Sequence, residues 1–99
     1  MNKTMLIGHI GQDPEIKTMP DGSKLAKCSL ATSVKWTDKD GLPQEKTSWH
    51  NLVFWKKKAE IVEKFVKKGK QIYIEGEIEY QEYEGKKYTQ IVVKEIVLL

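Results

Sequence analysis

Trp49 and Trp55 stand six residues apart in the run Thr47-Ser48-Trp49-His50-Asn51-Leu52-Val53-Phe54-Trp55, and Lys56-Lys57-Lys58 follows directly. A run this rich in aromatic and branched residues favours extended backbone, which sends successive side chains to opposite faces. Trp49, Asn51, Val53 and Trp55 therefore share one face, while His50, Leu52 and Phe54 share the other and make a sensible core row. Two indoles about 20 Å apart along a strand are a poor core for a small chain. They are a good platform for flat ligands: stacking a nucleobase on an aromatic ring contributes about 1–3 kcal/mol and is indifferent to base identity. The competing reading of this face is that one tryptophan packs under a loop or in a subunit contact.

Other residues extend the pattern. Trp36 lies where an alternating segment meets a polar one, although strict alternation groups it with Ala26, Cys28 and Leu30 in the core. A solvent-facing Trp36 requires a bulge or a strand end. Tyr80 and Tyr83 fall on a hairpin where little core is available, whereas Tyr73 and Tyr88 fit cross-strand packing equally well. Lys27 and Lys35 share the outer face of their segment. Lysine interleaved with exposed aromatics is the composition of a groove for single-stranded nucleic acid. Lys64, Lys67, Lys68 and Lys70 read instead as a solvated helix face.

The charge distribution agrees with such a groove. All 17 basic residues are lysine, and the net charge is +3. Residues 1–70 hold 14 lysines against 8 acids, and residues 71–99 hold 3 against 6, so the front is basic and the rear acidic. Lysine is a hydrated point charge, suited to phosphate and poorly suited to bidentate base reading. Contacts with nucleic acid should then be largely independent of sequence.

Other functions are disfavoured. His9 and His50 are far apart in sequence, Cys28 is on a core-facing row, and no phosphate-binding glycine loop or metal-ligand spacing is present. No catalytic, metal or cofactor site is expected, and the protein is not expected to be an enzyme. Apolar runs such as Ile96–Leu99 fall far short of the roughly 20 residues of a membrane span. A lone cysteine makes an internal disulfide impossible and fits a cytoplasmic setting.

The elements that must position these residues follow from periodicity. Thr4–Ile10 suits a strand closed by a turn at Gly11–Pro14, and Pro20-Asp21-Gly22 is a second turn. Lys24–Lys35 alternates as a long half-buried strand, Trp36–Lys46 reads as a polar surface loop, and Thr47–Trp55 is a third strand. Lys56–Lys68 changes to helical spacing, with Ala59, Val62, Phe65 and Val66 apolar and Gly69 as the stop. Gln71–Glu79 alternates again, and a hairpin at Glu84-Gly85 leads into Tyr88–Val93 and a last apolar stretch to Leu99. The expectation is one all-β domain over residues 1–99. The layout is that of an OB-fold, a five-stranded Greek-key β-barrel with one α-helix between strands 3 and 4, although the pattern alone also fits another small α+β fold.

Several ordered motifs resemble the bacterial single-stranded DNA-binding protein family. They are Asn2-Lys3 with Leu6–Glu15, Ser29-Leu30-Ala31-Thr32, Thr47-Ser48-Trp49-His50, Ala59-Glu60-Ile61-Val62, Lys67–Gly76, and Tyr88-Thr89 followed by Ile91-Val92-Val93. The resemblance implies an OB barrel that coats single-stranded DNA in replication, recombination and repair. It also implies a homo-oligomer, a tetramer in preference to a dimer. It places Trp36, Trp49, Trp55 and Tyr83 at base-stacking positions, with Trp55 where phenylalanine is usual, and His50 at a subunit contact. Lys3, Lys27, Lys35, Lys56, Lys57 and Lys86 are the candidate phosphate contacts. The chain departs from the family pattern in three places. Glu79-Tyr80-Gln81-Glu82 is acidic where relatives tend to be basic, and Lys56 replaces a glycine usual after the third strand. The sequence also ends at Leu99 without the flexible segment and acidic tip of relatives, either because the tail was removed or because this is a minimal, phage- or plasmid-borne version. No docking of protein partners through such a tip is predicted from it.

Two alternatives remain at this stage. An RNA-binding OB module would share the stacking and charge but use 2′-hydroxyl contacts. A protein–protein adaptor would use the aromatic face as an interface hot spot.

Overall fold

A computed structural model describes residues 1–99. The alternating segments become strands β1 (Thr4–Ile10), β2 (Glu15–Thr18), β3 (Lys24–Thr37), β4 (Pro43–Trp55), β5 (Gln71–Tyr83) and β6 (Lys86–Leu98), with helix α1 (Lys57–Phe65) between β4 and β5. Five strands follow one another in the order β1-β5-β6-β4-β3, and β3 returns to β1 through His9↔Ala31 and Ile10↔Leu30. That pairing closes the barrel. All the neighbours are antiparallel except β4 and β6, which run parallel at Leu52↔Ile91 and Val53↔Val92. This is the expected OB barrel, with the helix after the third of its five barrel strands.

The core is built from the predicted rows. Ala26, Leu30, Leu52, Phe54, Ile72, Ile74, Ile91 and Val93 point inward, and Ala59 and Val62 of α1, with Val66 just after it, pack onto them. Each large aliphatic side chain buried this way contributes about 1.5–3 kcal/mol. Gly76 has to be glycine, because a Cβ there would run into the Val92 carbonyl and the Ile91 side chain. The same point carries a bulge, where β6 skips a residue between the pairs Glu75↔Glu95 and Gly76↔Val93 and bends the sheet closed. Lys24 Nζ meets Glu63 Oε1 at 2.6 Å and ties the start of β3 to α1.

The structure differs from the sequence reading in several places. β2 is a short strand paired with Lys24–Lys27 of β3, hidden from periodicity because four residues show too little alternation. The loop expected over residues 36–46 shrinks to 38–42: β3 runs on to Thr37 and β4 begins at Pro43, forming a two-stranded arm beyond the barrel. Polar residues there satisfy a strand because both faces of the arm meet water. β6 likewise runs unbroken from Lys86 to Leu98. α1 ends at Phe65, not at Gly69; Val66 turns extended and takes the core place, leaving Phe65 exposed. Gly69, with φ 89°, instead sits in a tight turn closed by Lys70 N–H to the Lys67 carbonyl at 3.0 Å.

Candidate nucleic-acid interface

β3 and β4 pair along their whole lengths, from Leu25↔Trp55 to Thr37↔Pro43. Directly opposed residues share a face, so Trp55, Lys27, Val53, Asn51, Trp49 and Lys35 all belong to the outer side of this hairpin. Trp49 is 62% exposed and Trp55 is 43% exposed, while the core row Leu52 and Phe54 is buried. The alternation within β4 thus separates platform from core. Val53 is the exception: it is buried on the outer face, at the β4–β6 junction opposite Val92.

The β5–β6 hairpin rises beside this face. Its two-residue turn has Glu84 at φ 51° and Gly85 at φ 78°, the twist that suits a tight hairpin. Tyr83 pairs with Lys86 and Gln81 with Tyr88, all on the outer side. Between the hairpin and the β1–β2 turn lies a groove of about 480 Å³ lined by Lys27, Asn51, Gln81, Tyr83, Tyr88 and Gln90, among others. Sequence reasoning missed Asn51, Gln81 and Gln90 as site residues. Their signal was placement on the same outward period as Trp49 and Tyr83, since their residue types are unremarkable alone.

The predicted site residues do not all converge. Trp49, Trp55, Lys27 and Lys35 lie on one face, and Tyr83 and Lys86 form its rim at the hairpin tip. Lys57 opens α1 and Lys56 precedes it, both next to Trp55. Trp36 is 47% exposed because the arm has no core beneath it; no bulge is needed. By alternation it is on the opposite side of the arm from Lys35 and Trp49. Lys3 is 3.5 Å from Glu75 on β5, in acidic surroundings. The Glu75 carboxyl is held below its ordinary range, first by the Tyr73 hydroxyl, which donates to it at 2.6 Å, and then by Lys3. His50 is half-buried on the barrel side of β4, with Nε2 2.9 Å from Thr32 Oγ1.

The family pattern decides what this arrangement is. The profile of the Single-strand binding protein family matches residues 1–99. The chain belongs to that family. Among its relatives, the single-stranded DNA-binding protein of Neisseria meningitidis serogroup A is 44% identical over 86 residues, covering 87% of this chain and 49% of the relative. The chain therefore spans about half the length of the curated relatives it matches. Among solved structures, a Plasmodium falciparum SSB in complex with ssDNA superposes with a TM-score of 0.91 at 30% identity. It covers 100% of this chain and 95% of that one. A deletion mutant of the Thermus aquaticus single-stranded DNA-binding protein gives 0.87 at 27% identity, over 100% of this chain and 50% of that one.

Within this family member, one departure noted in the sequence has a backbone consequence. Lys56, where glycine is usual, adopts φ 56° and ψ −120°. That region suits glycine and strains any side chain with a Cβ. Its amide N–H donates to the Lys24 carbonyl at 2.8 Å, and its carbonyl accepts from Glu60 N–H at 3.1 Å, so the junction holds it in place.

Proposed function

We propose that this chain binds single-stranded DNA without strong sequence preference and protects it during replication, recombination and repair. The observation that carries the reading is the exposure of Trp49 and Trp55 on the same face as Lys27, with Tyr83 and Tyr88 rising across the groove. Unpaired bases stack on the rings and lysines neutralise the backbone between them. The likeness to the Plasmodium protein, solved with ssDNA, supports this over an RNA-binding or adaptor role. Trp36 on the far side of the arm contacts a strand that wraps around it. Lys56, Lys57 and Lys86 serve the ends of the track. Lys3 is the weakest candidate, because Glu75 already engages it.

The assembly we infer is a homo-oligomer, with the tetramer favoured over the dimer. Met5 and Ile7 leave their side chains exposed on the outer face of β1, and Val97 does so on β6. Apolar groups gathered on one face of a small domain mark an association surface. His50 is the further contact that the family resemblance suggests.

The deciding experiment is a titration of intrinsic tryptophan fluorescence with a dT oligonucleotide, its RNA equivalent and a duplex, at low and high salt. Strong quenching by the DNA single strand, weakening as salt rises, is expected. Absence of quenching and of binding by that strand would move the aromatic face to a protein interface.

A further inference from the structure

The groove between the β5–β6 hairpin and the β1–β2 turn is more chemically biased than a stacking platform requires. Four of its lining side chains are primary amides, and in three of them, Asn51, Gln81 and Gln90, the nitrogen is already engaged. Gln81 Nε2 donates to the Glu79 carboxylate, and Gln90 Nε2 donates to the same carboxylate at 3.2 Å. Asn51 Nδ2 points to the Thr89 carbonyl at 3.4 Å. An ionised carboxylate and a backbone carbonyl only accept. Neither glutamine can therefore turn its oxygen toward Glu79 without losing a charge-assisted bond, and Asn51 has the same preference toward Thr89. Glu79 shares the outward face of β5 with Gln81 and stands opposite Gln90 on β6, so it fixes two amides from one point. It is half-buried, as is Gln90, so the pair is partly shielded from water.

With their nitrogens engaged, Asn51, Gln81 and Gln90 keep free amide oxygens in the groove lining, beside the Tyr83 and Tyr88 rings. Phenolic rings offer stacking surface to any base. Oriented oxygens discriminate, because they need a donor opposite them. Cytosine, adenine and guanine carry exocyclic amino donors, whereas thymine presents carbonyl oxygens flanking its single ring N–H. We propose that this groove is a nucleobase pocket in which the oxygens of Asn51, Gln81 and Gln90 favour a base bearing an exocyclic amino group, with Glu79 as the positioning residue. This deepens, and rests on, the single-stranded DNA reading above. It gives an otherwise sequence-tolerant protein one position of mild base preference.

The test uses two dT oligonucleotides that differ at one central position. One carries adenine there, and the other carries purine, which lacks the amino group and keeps the ring system. Competition binding to the full chain should favour adenine over purine by about threefold to tenfold, the range of one or two hydrogen bonds. In Glu79→Gln the fixed acceptor is lost, both amides are free to flip, and the ratio should fall to about one. Gln81→Leu, an exposed hairpin position, should lower the ratio too and serves if the first variant folds poorly. A ratio of one in the unmodified protein, with normal binding of plain dT, overturns the pocket and leaves the single-strand reading intact. A ratio that survives both substitutions overturns the amide assignment. Failure to bind dT at all overturns both proposals.

Discussion

The indole of Trp49 lies directly over Gly11: a Cβ built on that glycine would overlap the ring, with other ring atoms at 3.1 and 3.3 Å. Gly11 N–H also donates to the Ser29 carbonyl at 3.0 Å, so the backbone under the ring is anchored. The glycine is thus a seat that sets the tilt of an exposed stacking surface. Gly11→Ala should push the indole off this seat and weaken dT binding by about 1–2 kcal/mol, within the range of one stacked base. Thermal stability should change little, because the ring is mostly exposed and can swing into water. A fluorescence titration beside a melting curve separates the effects. Unchanged affinity would mean that Trp49 does not stack from this position.

Lys56→Gly should stabilise the fold. Relieving a side chain from φ 56°, ψ −120° returns about 1–2 kcal/mol of backbone strain. If Lys56 also meets a phosphate, the same substitution lowers the slope of log affinity against log salt by about 0.7. Denaturant melts measure the first effect and a salt series the second. A stable variant with an unchanged slope would assign Lys56 to the helix junction alone.

The contrast between Lys56 and Trp49 shows what was legible in the sequence. Alternation over residues 47–55 identified the outward face of β4, because Leu52 and Phe54 must be inside and period two then fixes the rest. The barrel was legible in five strand-suited segments, three of them alternating, with one helical segment between the third and fourth. The arm was not, since residues 36–46 are polar and their strand character comes only from pairing with each other across Trp36↔Gln44 and Lys35↔Glu45. Nor was the amide groove, whose members come from β4, β5 and β6 and meet only after closure. The left-handed backbone at Lys56 was foreshadowed only by resemblance, at a place where relatives carry glycine.

Cys28 should be nearly inert until the barrel opens. Burial pushes its thiol up to about 12, since the thiolate would have to form in an apolar setting. At pH 8 the reactive thiolate fraction is therefore about a thousandfold or more below that of a free cysteine near pKa 8.5. Labelling with an aromatic disulfide reagent should be slow in native protein and complete within the unfolding transition in urea. Rapid labelling of folded protein would show that the barrel opens locally at β3.

Asp38 makes the tip of the β3–β4 arm sensitive to acid. Its carboxylate accepts from Leu42 N–H and Asp40 N–H at 2.9 Å each, and from Gln44 Nε2 at 3.0 Å. These bonds, that of Leu42 foremost, hold its pKa below the ordinary value of 3.8. A carboxyl whose pKa falls on folding contributes stability above its unfolded value, and loses it as pH drops through the lower folded one. The arm should therefore be fully ordered at neutral pH, and the protection of Leu42 N–H against hydrogen exchange should begin to fail only below 3.8. Because Trp36 pairs with Gln44 in the same arm, loosening the tip should also shift its fluorescence to longer wavelength. Asp38→Ala should reproduce this loosening at neutral pH. It should also weaken dT binding by less than the about 1–3 kcal/mol of one stacked base, since the ring stays attached but is less well placed. Asp38→Asn, which keeps one acceptor oxygen without the charge, should fall between them. If both variants bind dT as tightly as the parent chain, Trp36 is not part of the track, and the DNA path is confined to the Trp49–Trp55 face.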